Sequence, residues 1–414
     1  MNFYEIFTPG GVPTYTYNPR EDYKLEKKVM HAKQNLCKLM IVTGQTKMGK
    51  TVLAEKVYNR ERDSIWVDGG EISDEESFWD NIVSQLVLPT QYENQDVFEN
   101  NIAIEAGAEG QFKFCFVDAK PKGGIRIEHD RLSGIVTTSK MSNKMASLKY
   151  LTDNNIPLIV DDFHYINREI QTKIVRALKS PIMHGLPVIF IAIPSRKFEV
   201  LKVEREMTGR IEMCEIPTWS QEELMKIADK GFVELQVEVS LAIRQKMAKE
   251  AMGSPHLMQE FCKKICEEKR IEKRAVKKIK LTDIDLDAIF REIAKSSGRE
   301  LFEKLARGPR QRSDRIHRQL KNGEQTDIYG VVMEGLKKMK PGVSSISYED
   351  FRSCLKEIIE DVPQLHEISR VLEKIAEISY NAGASSPVID WDKNEAILTI
   401  TDPFFAFYLR WCPE

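Results

Sequence analysis

Gly44, Gly49, Lys50 and Thr51 occupy the fixed positions of GxxxxGK[ST] in the segment Gly44-Gln45-Thr46-Lys47-Met48-Gly49-Lys50-Thr51. A glycine-bracketed loop of this pattern curls so that successive backbone N–H groups and the following helix N-terminus face phosphate oxygens. Lys50 can then reach the β- and γ-phosphates of a nucleotide, and the Thr51 hydroxyl can ligate Mg²⁺. The variable positions Gln45, Thr46, Lys47 and Met48 and the next residue, Val52, contribute backbone to the same cradle. Lys47 is read as solvated, because no fixed position of the pattern falls on it.

A second constellation lies about 110 residues on, where Pro157-Leu-Ile-Val-Asp161-Asp162-Phe163 is an apolar run ending in two carboxylates. Asp161 is placed to hold the Mg²⁺ shell and Asp162 to orient or deprotonate an attacking water. His164 next to them is read as a packing or surface residue. The run Pro187 to Ile193 ends in Pro194-Ser195-Arg196, so Ser195 and Arg196 are candidate γ-phosphate sensors at a strand end. Arg210 opens the next apolar run and has the reach of an arginine finger acting on a neighbouring subunit. Gly253-Ser254-Pro255 interrupts a helical region and can lay Pro255 against an adenine. Cys262 and Cys266 are one helical turn apart with no second pair at metal spacing, which reads as buried thiols.

These groups need a scaffold, and the apolar periodicity supplies one. Continuous apolar runs at Lys38 to Thr43, Ser64 to Asp68, Leu158 to Asp161, Pro187 to Ile193 and Ile211 to Ile216 alternate with helical patterns, predicting a parallel sheet covered on both faces. The first 25 residues, rich in Pro, Gly and Tyr, read as an extended arm, followed by a helix from Leu25 to Gln34. Between about 95 and 140 the pattern breaks into β-prone pieces, QFKFCFVDAK and GGIRIEHDR, read as a hairpin inserted in the α/β core. After Pro217 the strands stop and helices are expected. Three helices at Ile328 to Met339, Tyr348 to Glu360 and Leu365 to Tyr380 lead into PVIDWDKNEAILTI, two strands around a turn, which is the order of a winged helix-turn-helix. The domain plan is therefore an N-terminal arm and helix (1–36), a P-loop core (37–217), a helical lid (218–300), a basic linker (301–327) and a winged-helix domain (328–414).

With 61 Lys and Arg against 63 Asp and Glu the net charge is −2, which by itself points neither to nucleic acid nor to an acidic tail. The neutral total hides two basic stretches. Residues 262–280 hold nine Lys or Arg and three Glu, and residues 304–321 hold seven basic residues and one Asp, the form of a phosphate-backbone footprint. The expected recognition helix, 365–380, has two Arg or Lys against three Glu and is poorly suited to an anionic groove. Seven cysteines without a CxxC pair, no secretory signal pattern and no stretch of 18 apolar residues point to a reducing cytoplasm and no membrane span. No repeat of 20 to 50 residues is evident.

P-loop, hhhhDD, a strand-end Arg, a GxP turn in helices and a C-terminal winged helix, in that order, resemble the STAND class of AAA+-related ATPases. The ending Ile400-Thr-Asp402-Pro-Phe404-Phe405-Ala-Phe407-Tyr408-Leu-Arg410-Trp411 also resembles archaeal and bacterial STAND-like ATPases. The resemblance covers roughly 12–411, with 95–140 the poorest match. It implies an α/β P-loop NTPase of the ASCE type with a helical lid and winged helix, acting on ATP/ADP with Mg²⁺ as a slow, regulatory ATPase. It further implies phosphate and Mg²⁺ binding by Gly44, Gly49, Lys50 and Thr51, a metal and hydrolytic pair in Asp161 and Asp162, γ-phosphate sensing by Arg196 and adenine contact by Pro255. A homo-oligomer or an effector protein in trans is the expected partner. Origin-recognition ATPases share much of the arrangement, so a DNA-acting ATPase (initiator, loader or transposition regulator) using the basic stretches is the competing reading. A metabolic P-loop enzyme is a third, disfavoured because the sequence shows no second small-molecule site.

Overall fold

The computed structural model describes residues 1–34, 37–62, 64–86, 102–106, 112–116, 142–193, 209–309, 316–381 and 388–411. Within them the chain forms two compact units, one of residues 26–43 with 54–214, the other of residues 1–25, 44–53 and 215–414.

The first unit is built on the sheet. β1 (Leu39–Thr43), β2 (Ile65–Asp68), β5 (Leu158–Asp161), β6 (Val188–Ala192) and β7 (Ile211–Glu215) lie in the order β2-β5-β6-β1-β7. β6 pairs in parallel with both β1 and β5, so one strand stands between the strand feeding the P-loop and the strand ending in the two aspartates. All five residues of β1 and of β6 are buried, which is why these strands read as unbroken apolar runs rather than alternating ones. The helices α2 (Leu25–Met30) and α3 (Lys50–Val57) flank the P-loop strand in sequence. α4 (Glu75–Leu86), α5 (Asn143–Asp153) and α6 (Arg168–Met183) supply the sheet's apolar cover through Phe78, Trp79, Ile82, Leu151, Ile174 and Leu178.

The hairpin in the insertion pairs β3 (Ile102–Ala106) with β4 (Phe112–Phe116). One arm falls in the expected QFKFCFVDAK piece. Its described partner is Ile102–Ala106, whose five residues are too few to show a period; GGIRIEHDR lies outside the described residues.

The second unit holds the lid and the C-terminal domain. The lid comprises α7 (Gln221–Glu234), α8 (Leu241–Glu250), α9 (Pro255–Glu268) and α10 (Leu286–Ser297). Strands do continue after Pro217, because β8 (Val237–Val239) and β9 (Ile279–Leu281) pair in parallel. Three-residue strands between helices leave no pattern in the sequence. The first 25 residues are also no free arm. A short helix, α1 (Phe3–Ile6), buries Phe3, Ile6 and Phe7 in the lid core beside Phe232 and Phe261. Arg20 is buried, its guanidinium bonded to Glu223 and to the carbonyls of Pro217 and Thr218.

The expected basic linker begins as a helix, α11 (Arg299–Arg307), with Leu305 fully buried. Its apolar positions, Leu301, Phe302 and Leu305, keep helical spacing among charges that dominate the composition. The hairpin β10 (Arg318–Gln319) and β11 (Gln325–Thr326) follows. Then come α12 (Ile328–Met339), β12 (Ser345–Ser347), α13 (Tyr348–Ile358), α14 (Leu365–Asn381), β13 (Ile389–Asp392) and β14 (Ile397–Ile400), with sheet order β12-β14-β13, a winged helix.

The last helix, α15 (Pro403–Trp411), has two apolar faces. Phe405, Ala406 and Leu409 enter the winged-helix core, whereas Phe407 and Tyr408, with Phe404 and Trp411 at the edge, enter the lid core. Trp411 Nε1 donates to Glu250 Oε2 at 2.8 Å. One helix thus closes both cores.

Candidate functional site

The glycine loop starts where β1 ends, and its own chemistry sets its shape. Gly49 has φ +87°, a left-handed value open to glycine at little cost. Lys50 is buried and its ammonium donates to the carbonyls of Gly44 at 3.0 Å and Gln45 at 2.9 Å. The cation is thereby held at the mouth of the loop, at the start of α3, with Thr51 next in the same helical turn. Thr46 and Met48 are buried, and Gln45 Oε1 is a buried oxygen with no protein donor.

Lys47 departs from its sequence reading. It lies at φ 60°, a left-handed value costing a non-glycine residue roughly 1–2 kcal/mol. Its Nζ sits 4.1 Å from the centre of the Phe404 ring, which belongs to α15. His256 meets the same ring edge-on at 4.9 Å. Burial, then the Lys47 charge, lower the His256 pKa to about 4, so the ring is neutral at physiological pH. Asp402, which caps α15 by accepting from Phe405 N, is buried; burial raises its pKa and the Lys47 charge opposes that rise. The loop backbone is also gripped from the lid, since Trp219 Nε1 donates to Met48 O at 3.1 Å and Ser254 Oγ to Lys47 O at 3.4 Å. Ser254 and Pro255 are the N-cap and first residue of α9, so the Gly-Ser-Pro turn starts a helix and touches the phosphate loop together.

Trp219, Asp402 and Phe404, and Arg20 stacked between Tyr23 and Trp219, were not legible as site residues. The aromatic ending was visible, but its partner Lys47 lies at the opposite end of the chain. Only the fold joins them.

In the sheet unit, β5 delivers the two carboxylates. Asp161 is buried and its Oδ1 accepts from Asp162 N at 2.9 Å; its Oδ2 lies 3.8 Å from Arg60 Nη2. The Arg60 guanidinium in turn lies over Trp66, 4.4 Å from the ring centre. Asp162 takes φ 47°, the left-handed region that Asp tolerates better than most residues. His164 is buried rather than a surface residue, and its Nδ1 stands 3.9 Å from Asp162 Oδ1. The chain beyond is fixed by Phe163 stacking on Phe190 at 4.0 Å and by Gln171 Nε2 donating to Phe163 O.

Gly69 completes this corner from the end of β2. A Cβ there would stand 2.4 Å from Asp162 O. Gly69→Ala is therefore expected to lower stability by about 1–3 kcal/mol and to displace the aspartate pair, an overpacking effect against backbone. Thermal unfolding should show a lower midpoint for Gly69→Ala and a smaller shift for Gly70→Ala, whose Cβ would meet side-chain atoms alone, Asp68 Oδ1 at 3.2 Å and Tyr165 Cδ2 at 4.0 Å. Equal midpoints would contradict the close approach.

Ser195 and Arg196 lie outside the described residues. Arg210 precedes β7, and its carbonyl accepts from Leu39 N at 2.9 Å. It therefore stands at the edge where β1 begins, with Nη1 on Met183 Sδ at 2.8 Å. Cys262 and Cys266 are buried in the lid core, where burial pushes both thiols up, Cys266 to about 12. Among the described residues no cluster of three or more His, Cys, Asp or Glu could hold a metal, and no helix is long and apolar enough to cross a membrane.

A solved structure of the Walker-type ATPase of Pyrococcus abyssi matches this chain with a TM-score of 0.55 at 13% identity, covering 95% of this chain and 96% of that one. The fold is that of a Walker-type P-loop ATPase. Cdc6p of Pyrobaculum aerophilum (TM-score 0.42, 12% identity, 99% of this chain and 97% of that one) is also similar. So is the Aeropyrum pernix Orc1 protein in complex with DNA (0.44, 11%, 99% and 95%). No protein-family model and no curated protein matches the chain.

Proposed function

We propose that the chain is an ATP-binding and ATP-hydrolysing molecular switch of the STAND type, in which nucleotide state controls domain angle, assembly and partner engagement. The observation that carries this reading is the grip on the P-loop. Lys47 and Met48, whose backbone would have to face the phosphates, are held by Trp219 and Ser254 of the lid and by Phe404 of α15. Because α15 also closes the winged-helix core, a shift of the loop on binding ATP is transmitted to both the lid and the winged helix.

In this reading Gly44 to Val52 cradle the phosphates, and Lys50 pairs with the β- and γ-phosphates. The hydroxyl of Thr51 and the carboxylate of Asp161 are the hard oxygen donors that suit Mg²⁺. Held there with the nucleotide, Mg²⁺ would supply neutralisation of charge developing on the phosphates. Asp162 orients the attacking water, Ser195 and Arg196 sense the γ-phosphate, and Pro255 lies against adenine. Arg210, at the far end of β1, serves a neighbouring copy.

A swing from about 1:99 to 99:1 between two states needs the nucleotide forms to differ by about 5.5 kcal/mol in their preference. The Lys47–Phe404 contact, at roughly 0.5–2 kcal/mol, supplies only part of that. Small-angle scattering with ADP, ATP and a non-hydrolysable analogue should show a larger or more extended particle with ATP. Phe404→Ala should blunt the change while holding nucleotide affinity within about threefold. Identical profiles in all three states, with or without partner, would remove the switch.

A further inference from the structure

The two basic stretches that look alike in sequence differ in the structure, where several cations of each are already paired among the described residues. In α9, Lys263 pairs with Glu267, and Lys264 with Glu267 and Glu292. In the second stretch Arg318, only 15% exposed, is spent on Glu367 at 3.0 Å and Asp361 at 3.6 Å, and Lys321 Nζ donates to Lys356 O. Residues 269–280 differ. They carry seven Lys or Arg against one Glu. Arg274 and Lys278 meet Glu234 and Glu238. Lys269, Arg270, Lys273, Lys277 and Lys280 are exposed and form no ion pair among the described residues.

This segment is also held in place rather than loose. Ile271 and Leu281 are buried anchors at its two ends. On one side Phe3 N donates to Glu272 O and Arg274 N to Met1 O; on the other Ala275 N donates to Leu235 O and Ile279 N to Gln236 O. The result is a rigid basic ridge between the N-terminal residues and β8, with Val276 at its crest, 97% exposed. Between its anchored ends the backbone bends at Val276 and Lys277.

We propose that this ridge of the lid, residues 269–280, is a contact surface for the sugar–phosphate backbone of duplex DNA, bound without sequence preference. The surface offers fixed point charges and no aromatic residue within the ridge on which unpaired bases would stack, which favours a duplex over a single strand. Adenine reading is not expected, because the ridge contains no Asn or Gln to pair with that base edge. The slightly acidic winged-helix candidate is relieved of the role. This proposal does not rest on the switch reading, since a lid that never moves would still bind.

Full-length protein and a fluorescent duplex of about 25 base pairs, titrated by anisotropy between 50 and 200 mM salt, test it. Five unpaired cations predict a slope of log K on log salt near −4.5, hence roughly 500-fold weaker binding over that range. Lys273→Gln/Lys277→Gln/Lys280→Gln should flatten the slope by about 2.7, whereas Lys263→Gln/Lys264→Gln, in the paired part of α9, should leave it unchanged. Nucleotide affinity, measured on the same samples, should be the same for all three proteins and reports separately on the ATP site. An unchanged slope in the triple variant, tighter binding of a single strand, or preferential displacement by polyglutamate would each overturn the assignment, the last in favour of an acidic protein partner.

Discussion

Lys50→Ala is expected to weaken Mg·ATP binding by at least about 100-fold, the largest single effect on binding anywhere in the chain. The ammonium would make two charge-assisted hydrogen bonds to phosphate, each worth roughly 1.5–3 kcal/mol, or 3–6 kcal/mol together. Not all of that is a net gain. Before nucleotide arrives, Lys50 Nζ already donates to the carbonyls of Gly44 and Gln45, and those bonds are exchanged on binding. About 100-fold, at 1.4 kcal/mol per factor of ten, is therefore the lower bound. Lys47→Ala is the matched control, because its ammonium faces Phe404 and its loss should change affinity by no more than about threefold. Calorimetry on the three proteins decides the matter, and equal affinity of wild type and Lys50→Ala would falsify the phosphate role.

The same loop shows what a sequence can and cannot disclose. The loop was legible as a turn between a strand and a helix because the GxxxxGK[ST] pattern fixes residue types at fixed spacing, and the mainly buried strands β1, β2, β5 and β6 were legible because burial on both faces imposes continuous apolar runs. The winged helix was legible from element order, and its first helix, Ile328–Met339, coincides with the expected one. Three kinds of feature were not. Lys47 reads as solvent-facing because nothing local marks its contact with an aromatic ring at the other end of the chain. The arm reads as free because the helical spacing of Phe3, Ile6 and Phe7 lasts a single turn before a Pro- and Gly-rich stretch, yet each is buried in the lid. The basic linker hides a helix because its few apolar residues are outnumbered by charges that solvent tolerates. Charge was the least legible property. Counting could not separate lysines already paired with Glu267 and Glu292 from those at 269–280, since pairing depends on neighbours that only folding supplies.

Asp162→Asn is expected to retain nucleotide and to slow hydrolysis by about ten- to a hundredfold. The substitution is close to a pure removal of charge. Asn has nearly the same volume and tolerates the left-handed φ of 47° that position 162 requires, so the corner against Gly69 stays intact. What disappears is the carboxylate able to accept a proton or fix a water, a function contributing typically 10²–10⁴-fold where the geometry is ideal. The short Asp arm and a backbone committed to the left-handed turn place the expectation at the lower end. Asp161→Ala is a different experiment. It removes the acceptor of Asp162 N and one acidic partner of Arg60, whose other is Glu55, so it should disturb the backbone of the corner as well as the dependence on Mg²⁺. Single-turnover hydrolysis over a Mg²⁺ series distinguishes the two acids. A lower rate with an unchanged Mg²⁺ midpoint assigns Asp162 to the water, and a shifted midpoint for Asp161→Ala assigns that residue to the metal. Hydrolysis by Asp162→Asn at the wild-type rate would mean that the water is activated elsewhere, and His164, whose Nδ1 stands 3.9 Å from Asp162 Oδ1, would be the next residue to replace.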